Sequence, residues 1–221
     1  MNKKIRFSEW AFVLGTIFSA AGVALQVQAN MGISMVVAPA YILSLKIPGL
    51  SFGMAEWVIQ GLLFALSCVV LRKLAFKNLW SFAAVICYGW VLDLMTILFN
   101  PFNATTLSSQ LVLYGIGTLS LSFGIALYFR TYLPCLVYEM FIKTLANQKS
   151  WNIDKVKIVF DWCCLLIAAV MSFLLFGSIK GVGVGTLILT LINGPLITFW
   201  GKLLDKMFDF TPQVKILKKI F

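Results

Sequence analysis

The chain has 221 residues, 61% of them hydrophobic and 12% charged, with a mean hydropathy of +0.94 and a formal net charge of +10. This balance excludes an ordinary water-soluble domain, in which about a quarter of the residues are charged. Histidine is absent, which removes imidazole acid–base pairs, His-based triads and His-ligated metal sites.

Six apolar runs, at residues 7–28, 52–71, 79–99, 111–129, 158–176 and 182–200, are long enough for a hydrocarbon layer of about 30 Å. They are predicted to be helices, because hydrocarbon offers no partner to open backbone groups. The first run follows Met1-Asn-Lys-Lys-Ile-Arg6 and exceeds the about 7–15 apolar residues of a signal peptide, with no small-x-small cleavage site after it. It is therefore read as retained. Residues 31–45, with Pro39, and residues 133–146, with Pro134, Glu139 and Lys143, are shorter stretches that either span thinly or form re-entrant or interfacial helices. The distribution of bases weighs these alternatives. With six spans and a cytoplasmic N-terminus, 16 of the 18 Lys and Arg residues face the cytoplasm and only Lys46 and Lys180 face out. Eight full spans would leave 13 against 5, with Lys73 and Lys77 outside, so the sequence favours six.

The chain repeats itself. Residues 14–25 read LGTIFSAAGVAL and residues 116–127 read IGTLSLSFGIAL. Gly15, Thr16, Gly22, Ala24 and Leu25 recur as Gly117, Thr118, Gly124, Ala126 and Leu127, at an offset of 102. Further on, Cys87-Tyr-Gly-Trp90 meets Ile192-Asn-Gly-Pro195 at a similar depth of the second half. Three spans per unit would insert the second copy upside-down. The expected architecture is thus an all-α polytopic membrane bundle of six spans plus two short helices in an inverted 3+3 repeat. It forms one membrane domain over residues 1–221, with repeats at 7–100 and 109–204 and a basic cytoplasmic tail at 205–221. Inverted repeats whose corresponding segments are broken by Pro or Gly point to a midplane site and alternating access. The glycines spaced seven apart give the first helix of each half a small face for close helix approach.

Ionisable groups inside spans are costly and mark interiors, pathways or partners. Asp93 is the sharpest candidate: it has no basic residue within a helical turn and lies one turn from Gly89 and Trp90. Glu56 and Gln60 share a one-turn spacing, as do Lys157 and Asp161, and at an offset of 101 the two pairs correspond. Lys157 and Asp161 suit an intrahelical ion pair. Asn193, before Gly194 and Pro195, is the second half's counterpart of Tyr88. Glu139 and Lys143 suit a surface pair on the second short helix.

Other features read as structural. Gly181-Val-Gly-Val-Gly185 lacks the spacing and the Lys-Ser/Thr ending of a phosphate loop. The five cysteines lack metal-ligand spacing and read as small buried hydrophobes. The bases orient the bundle and rest on anionic lipid, so no nucleic-acid partner is expected. Residues 208–221 interleave Phe210, Ile216, Leu217 and Ile220 with lysines, as an interfacial amphipathic helix would. Trp10, Trp80, Trp151 and Trp200 fall near the expected cytoplasmic boundary, where aromatic belts sit.

Gly22-Val-Ala-Leu, Ala29-Asn-Met-Gly-Ile-Ser34, Gly49-Leu-Ser-Phe-Gly53 and Gly89-Trp-Val-Leu-Asp93 in the first half resemble the bacterial YczE/YitT-like integral membrane proteins. In the second half so do Gly124-Ile-Ala-Leu, the stretch from Asp154 to Asp161, Gly183-Val-Gly-Thr and Asn193-Gly-Pro-Leu-Ile197. Met35 and Val36 depart from the Pro and Trp that often follow Ser34 in that family, and Lys157 and Asp161 stand where it favours Arg and Glu. The resemblance implies a duplicated bundle in a bacterial inner membrane and names no substrate. The functional expectation is a protein that binds or moves a small polar solute without a cofactor. Asp93 would be the main contact, Tyr88, Trp90 and Asn193 would surround it, and Glu56, Gln60 and Asp161 would supply further polar groups. The alternatives are an accessory or regulatory protein acting through a membrane partner, and a substrate-capture subunit of a larger transporter.

Overall fold

The computed structural model describes residues 5–6, 8–71, 79–102, 104–131 and 133–210; Lys73, Lys77 and most of the basic tail lie outside them. Eight α-helices make up the described chain: α1 (Ser8–Ala29), α2 (Ala38–Lys46), α3 (Phe52–Leu71), α4 (Leu79–Phe99), α5 (Leu107–Tyr128), α6 (Val137–Lys149), α7 (Ile153–Phe176) and α8 (Val184–Met207). Six of them, all but α2 and α6, are long and apolar enough to cross a membrane. With nine residues, α2 is about 14 Å long, and α6 with 13 is about 20 Å, both short of the hydrocarbon thickness. The fold is an all-α polytopic bundle, with one two-residue parallel pairing, β1 (Ile5–Arg6) with β2 (Phe208–Asp209), joining the ends of the described chain.

Local chemistry sets the helix ends. Thr106 and Ser109 form a reciprocal capping box at the start of α5. The Asn152 side chain accepts from the backbone N–H groups of Asp154 and Lys155 to open α7, and Gly177, at φ 66°, closes it in the left-handed region. Pro39 sits in the first turn of α2, where a missing N–H costs nothing.

Hydrogen bonds between helix ends fix the direction of every span. Ala104 N–H donates to Gln28 O, Gly185 N–H to Met31 O and Ile33 N–H to Gly181 O, while Lys46 Nζ donates to Leu175 O. The ends of α1, α4 and α7 therefore share one face (the far face) with the starts of α3, α5 and α8. On the opposite face, the terminal face, Thr131 Oγ1 donates to Ser8 O, Arg130 forms a bidentate ion pair with Asp205 at 2.7 Å, and β1 meets β2. The six long helices alternate in direction.

The tightest pairing is between α1 and α5. A Cβ on Gly22 would stand 2.5 Å from Leu121 N and 2.6 Å from Gly117 O, and one on Gly124 would stand 2.5 Å from Ser19 N. Gly15 lies against Gly124 and Gly22 against Gly117, so the helices run antiparallel. These contacts exchange when the 102-residue offset is applied, because Gly15 corresponds to Gly117 and Gly22 to Gly124. Ser120 Oγ donates to the carbonyl of Phe18, its counterpart 102 positions earlier, at 2.7 Å. The remaining packing exchanges likewise: α2 contacts α3 and α7, as α6 contacts α7 and α3, and α4 lies on α1 as α8 lies on α5. Leu62, Val69, Ile97, Leu174 and Leu191 are among the many large apolar side chains exposed around the outside, as hydrocarbon contact requires. Trp10, Trp80 and Trp151 are exposed near the terminal face.

Candidate functional site

Two segments enter the bundle from opposite faces and stop inside it. From the far face, Gly32 adopts φ 97°, a left-handed turn that an L side chain resists, with Gly183 and Thr186 occupying the space of a Cβ. The chain then runs inward through buried Ser34, Met35 and Val37, where Ser34 N–H donates to Gln26 Oε1 at 2.9 Å, and α2 climbs back to Lys46. From the terminal face, the segment after Thr131 runs through buried Cys135 and Leu136, and α6 returns to Lys149. Gln60 Oε1 accepts the first N–H of α6, from Val137, at 3.1 Å. Both short helices thus aim their N-termini, the positive ends of their dipoles, at the interior.

Between these N-termini lies a cavity of about 30 Å³. Ser34 and Val37 line it from the first segment, Leu136, Tyr138 and Glu139 from the second, and Ser19, Leu121, Tyr88, Tyr128, Lys157 and Asn193 from the long helices. In the sequence repeat Ser19 corresponds to Leu121 and Tyr88 to Asn193, and all four line the cavity. Asn193 is 1% exposed, and both its amide nitrogen and its amide oxygen lack a partner, as does Oε2 of buried Glu139. A buried unpaired amide is costly, and such groups mark ligand positions.

Beside the cavity stand two buried polar pairs. Gln60 Nε2 and Tyr138 OH donate to Glu56 Oε2 at 2.9 and 3.2 Å, and Lys157 Nζ donates to both Asp161 oxygens at 3.0 Å. The structure therefore brings Tyr88 and Asn193 into one site, flanked by Glu56, Gln60 and Asp161. It does not bring Asp93 or Trp90 there. Asp93 reaches across to the start of α3, where its carboxylate accepts from Ser51 Oγ at 2.6 Å and Gly53 N–H at 2.7 Å, so it caps a neighbouring helix. Trp90 is 63% exposed and packs T-shaped with Trp57 at a ring distance of 6.2 Å, outside the cavity lining. Glu139 and Lys143 form no surface pair: Glu139 is buried in the cavity wall, and Lys143 Nζ donates to Tyr128 O at 3.3 Å. Sequence reasoning overlooked Glu139, Tyr138 and Lys157 as cavity residues; the available signal was their position at the start of a Pro-broken segment and on its neighbouring helix.

Vestibules lie on both sides of the cavity. One of about 580 Å³ opens at the far face and includes Gln26, Gly32, Tyr41 and Lys180. The other, about 330 Å³, opens at the terminal face between Arg130, Lys143, Asp154, Lys157, Gly194 and Lys202. Lys157 lines both this vestibule and the axial cavity. An apolar groove of about 860 Å³ runs between α3 and α7, with Leu62, Leu66, Val159 and Ile167 on its walls. Among the described residues no three Cys, Asp or Glu side chains gather as metal ligands.

A six-helix apolar bundle with two internal half-helices defines a polytopic integral membrane protein. The chain belongs to a family of unknown function (DUF6198), whose model matches residues 7–202. No curated protein and no solved structure matches it.

Proposed function

We propose that the protein is a transporter of a small polar solute, built as an inverted repeat whose two halves share the axial cavity. The observation that carries this reading is the convergence of two half-helix N-termini, from opposite faces, on a small cavity containing the orphaned amide of Asn193. Broken helices meeting at the midplane between repeats are the usual substrate site of secondary transporters. The terminal face is the cytoplasmic one: among the described residues Arg130, Lys143, Lys149, Lys155, Lys202 and Lys206 lie toward it, against Lys46 and Lys180 on the far face. The resemblance to YczE/YitT-like proteins supports a bacterial inner membrane.

Purified protein in liposomes tests the reading through flux of a solute panel. Asn193→Leu is expected to abolish flux of the accepted solute, while Asp93→Asn keeps it and lowers only the melting temperature. Normal flux in Asn193→Leu would overturn the axial site, and loss of flux in Asp93→Asn in protein that remains folded would return the site to Asp93. The open apolar groove between α3 and α7 favours a second reading, an accessory protein that seats a partner's helix there. A stoichiometric membrane partner, in a protein that moves no solute, would establish that role.

A further inference from the structure

The transport reading leaves the substrate class open, and the inference here rests on that reading. We propose that the axial cavity takes a small monovalent anion, which arrives from the terminal-face vestibule and is met by the Lys157 ammonium.

Size sets the first limit. A cavity of about 30 Å³ has room for one or two species the size of water, at about 10–15 Å³ each. That suits a halide, nitrate or formate and excludes a sugar or an amino acid in this conformation.

Charge sets the second. The terminal-face vestibule is lined by Arg130, Lys143, Lys157 and Lys202 against one carboxylate, Asp154. With Arg130 held by Asp205 and Lys157 by Asp161, Lys143 and Lys202 remain against Asp154, a net positive balance in a concave mouth that concentrates anions. Both half-helices present their positive ends inside, and Asn193 offers unpaired N–H donors. Lys157 joins the two spaces because it lines both, and with two of its three N–H donors on Asp161 it keeps one for the anion. Glu139 is the carboxylate in the cavity wall that opposes this assignment, and Lys143 and Lys157 lie in its electrostatic field. Its sign makes the proposal testable in both directions.

The experiment measures binding to the detergent-solubilised full chain by calorimetry and melting temperature. Ligands are the sodium and N-methylglucamine salts of chloride, nitrate, formate and sulfate at constant ionic strength, with glycerol and urea as neutral probes. Chloride, nitrate or formate is expected to bind and sulfate to be rejected, whichever cation accompanies them. Glu139→Gln removes the opposing charge and tightens binding several-fold, whereas replacing the ion pair by apolar residues, Lys157→Met with Asp161→Leu, weakens it at least tenfold. Should the double variant not fold, Glu139→Gln alone decides the sign. Weaker anion binding in Glu139→Gln, unchanged binding in the double variant, or protection by sodium or a neutral probe instead would overturn the anion assignment. A neutral or sodium ligand lost in Asn193→Leu would sink the anion assignment and keep the transport site. Absence of any ligand, with flux indifferent to Asn193, would remove both.

Discussion

At the scale of single residues, close approach decides more than charge does. Gly22 faces the backbone of α5 with no room for a methyl group, whereas Gly115 has nothing within 4 Å of where its Cβ would be. Gly22→Ala is expected to cost about 1–3 kcal/mol through forced separation of α1 and α5, and Gly115→Ala to be neutral, both read from thermal or denaturant unfolding in detergent. The sequence states the glycine repeat openly, because one helix face recurs at a fixed spacing. Asp93 shows the opposite case. An isolated carboxylate in an apolar run is conspicuous, yet its donors, Ser51 and Gly53, sit at the start of another helix some 40 residues earlier, and no periodicity links them. Glu139 is disguised by Lys143 one turn on, which mimics a surface pair until the direction of each side chain is known.

At the scale of elements, the two short helices depend on neighbours because they are cut off inside the bundle. Gln60 links both ends of one such dependence: its oxygen accepts from Val137 at the start of α6, and its nitrogen donates to Glu56. Gln60→Leu would leave a buried N–H without its acceptor and Glu56 without one of its donors, at about 1–3 kcal/mol for each orphaned group. The expected outcome is a markedly lower melting temperature with faster hydrogen exchange in the first turn of α6. Pro39 and Pro134 make both short stretches legible, since neither run is long or apolar enough to span. Their helix starts are less so: α2 begins at Ala38 and α6 at Val137, several residues inside the stretches the sequence marks, because a turn held by Ser34 O precedes α2 and an extended Leu136 precedes α6. The spans show the same effect at α5 and α7, which begin with polar turns at Leu107 and Ile153 that hydropathy alone leaves out.

At the scale of the whole molecule, alternating helix directions place both ends of the described chain on one face, with Lys46 and Lys180 on the other. Single cysteines replacing Lys46 or Lys180 should react with an impermeant thiol reagent from outside intact cells, and one replacing Lys202 only after the membrane is opened. The reverse pattern would invert the assignment of faces, and reaction of all three from one side would break the six-span topology. The six span-length helices are readable in the sequence, because hydropathy acts along the chain. The cavity is not, since it forms where two segments about 100 residues apart meet end to end.

Matching positions of the two sequence repeats are packed differently. Gly53 and Gly89 bring α3 and α4 into backbone contact near the far face, sealed by the Asp93 cap. Their counterparts in the second half, Asp154 and Gly194, stand apart and line the terminal-face vestibule, and a Cβ on Gly194 would touch nothing. One half is zipped and its twin is unzipped. The closed joint shuts the space between α3 and α4, and the open one leaves Gly194 bare beside the vestibule.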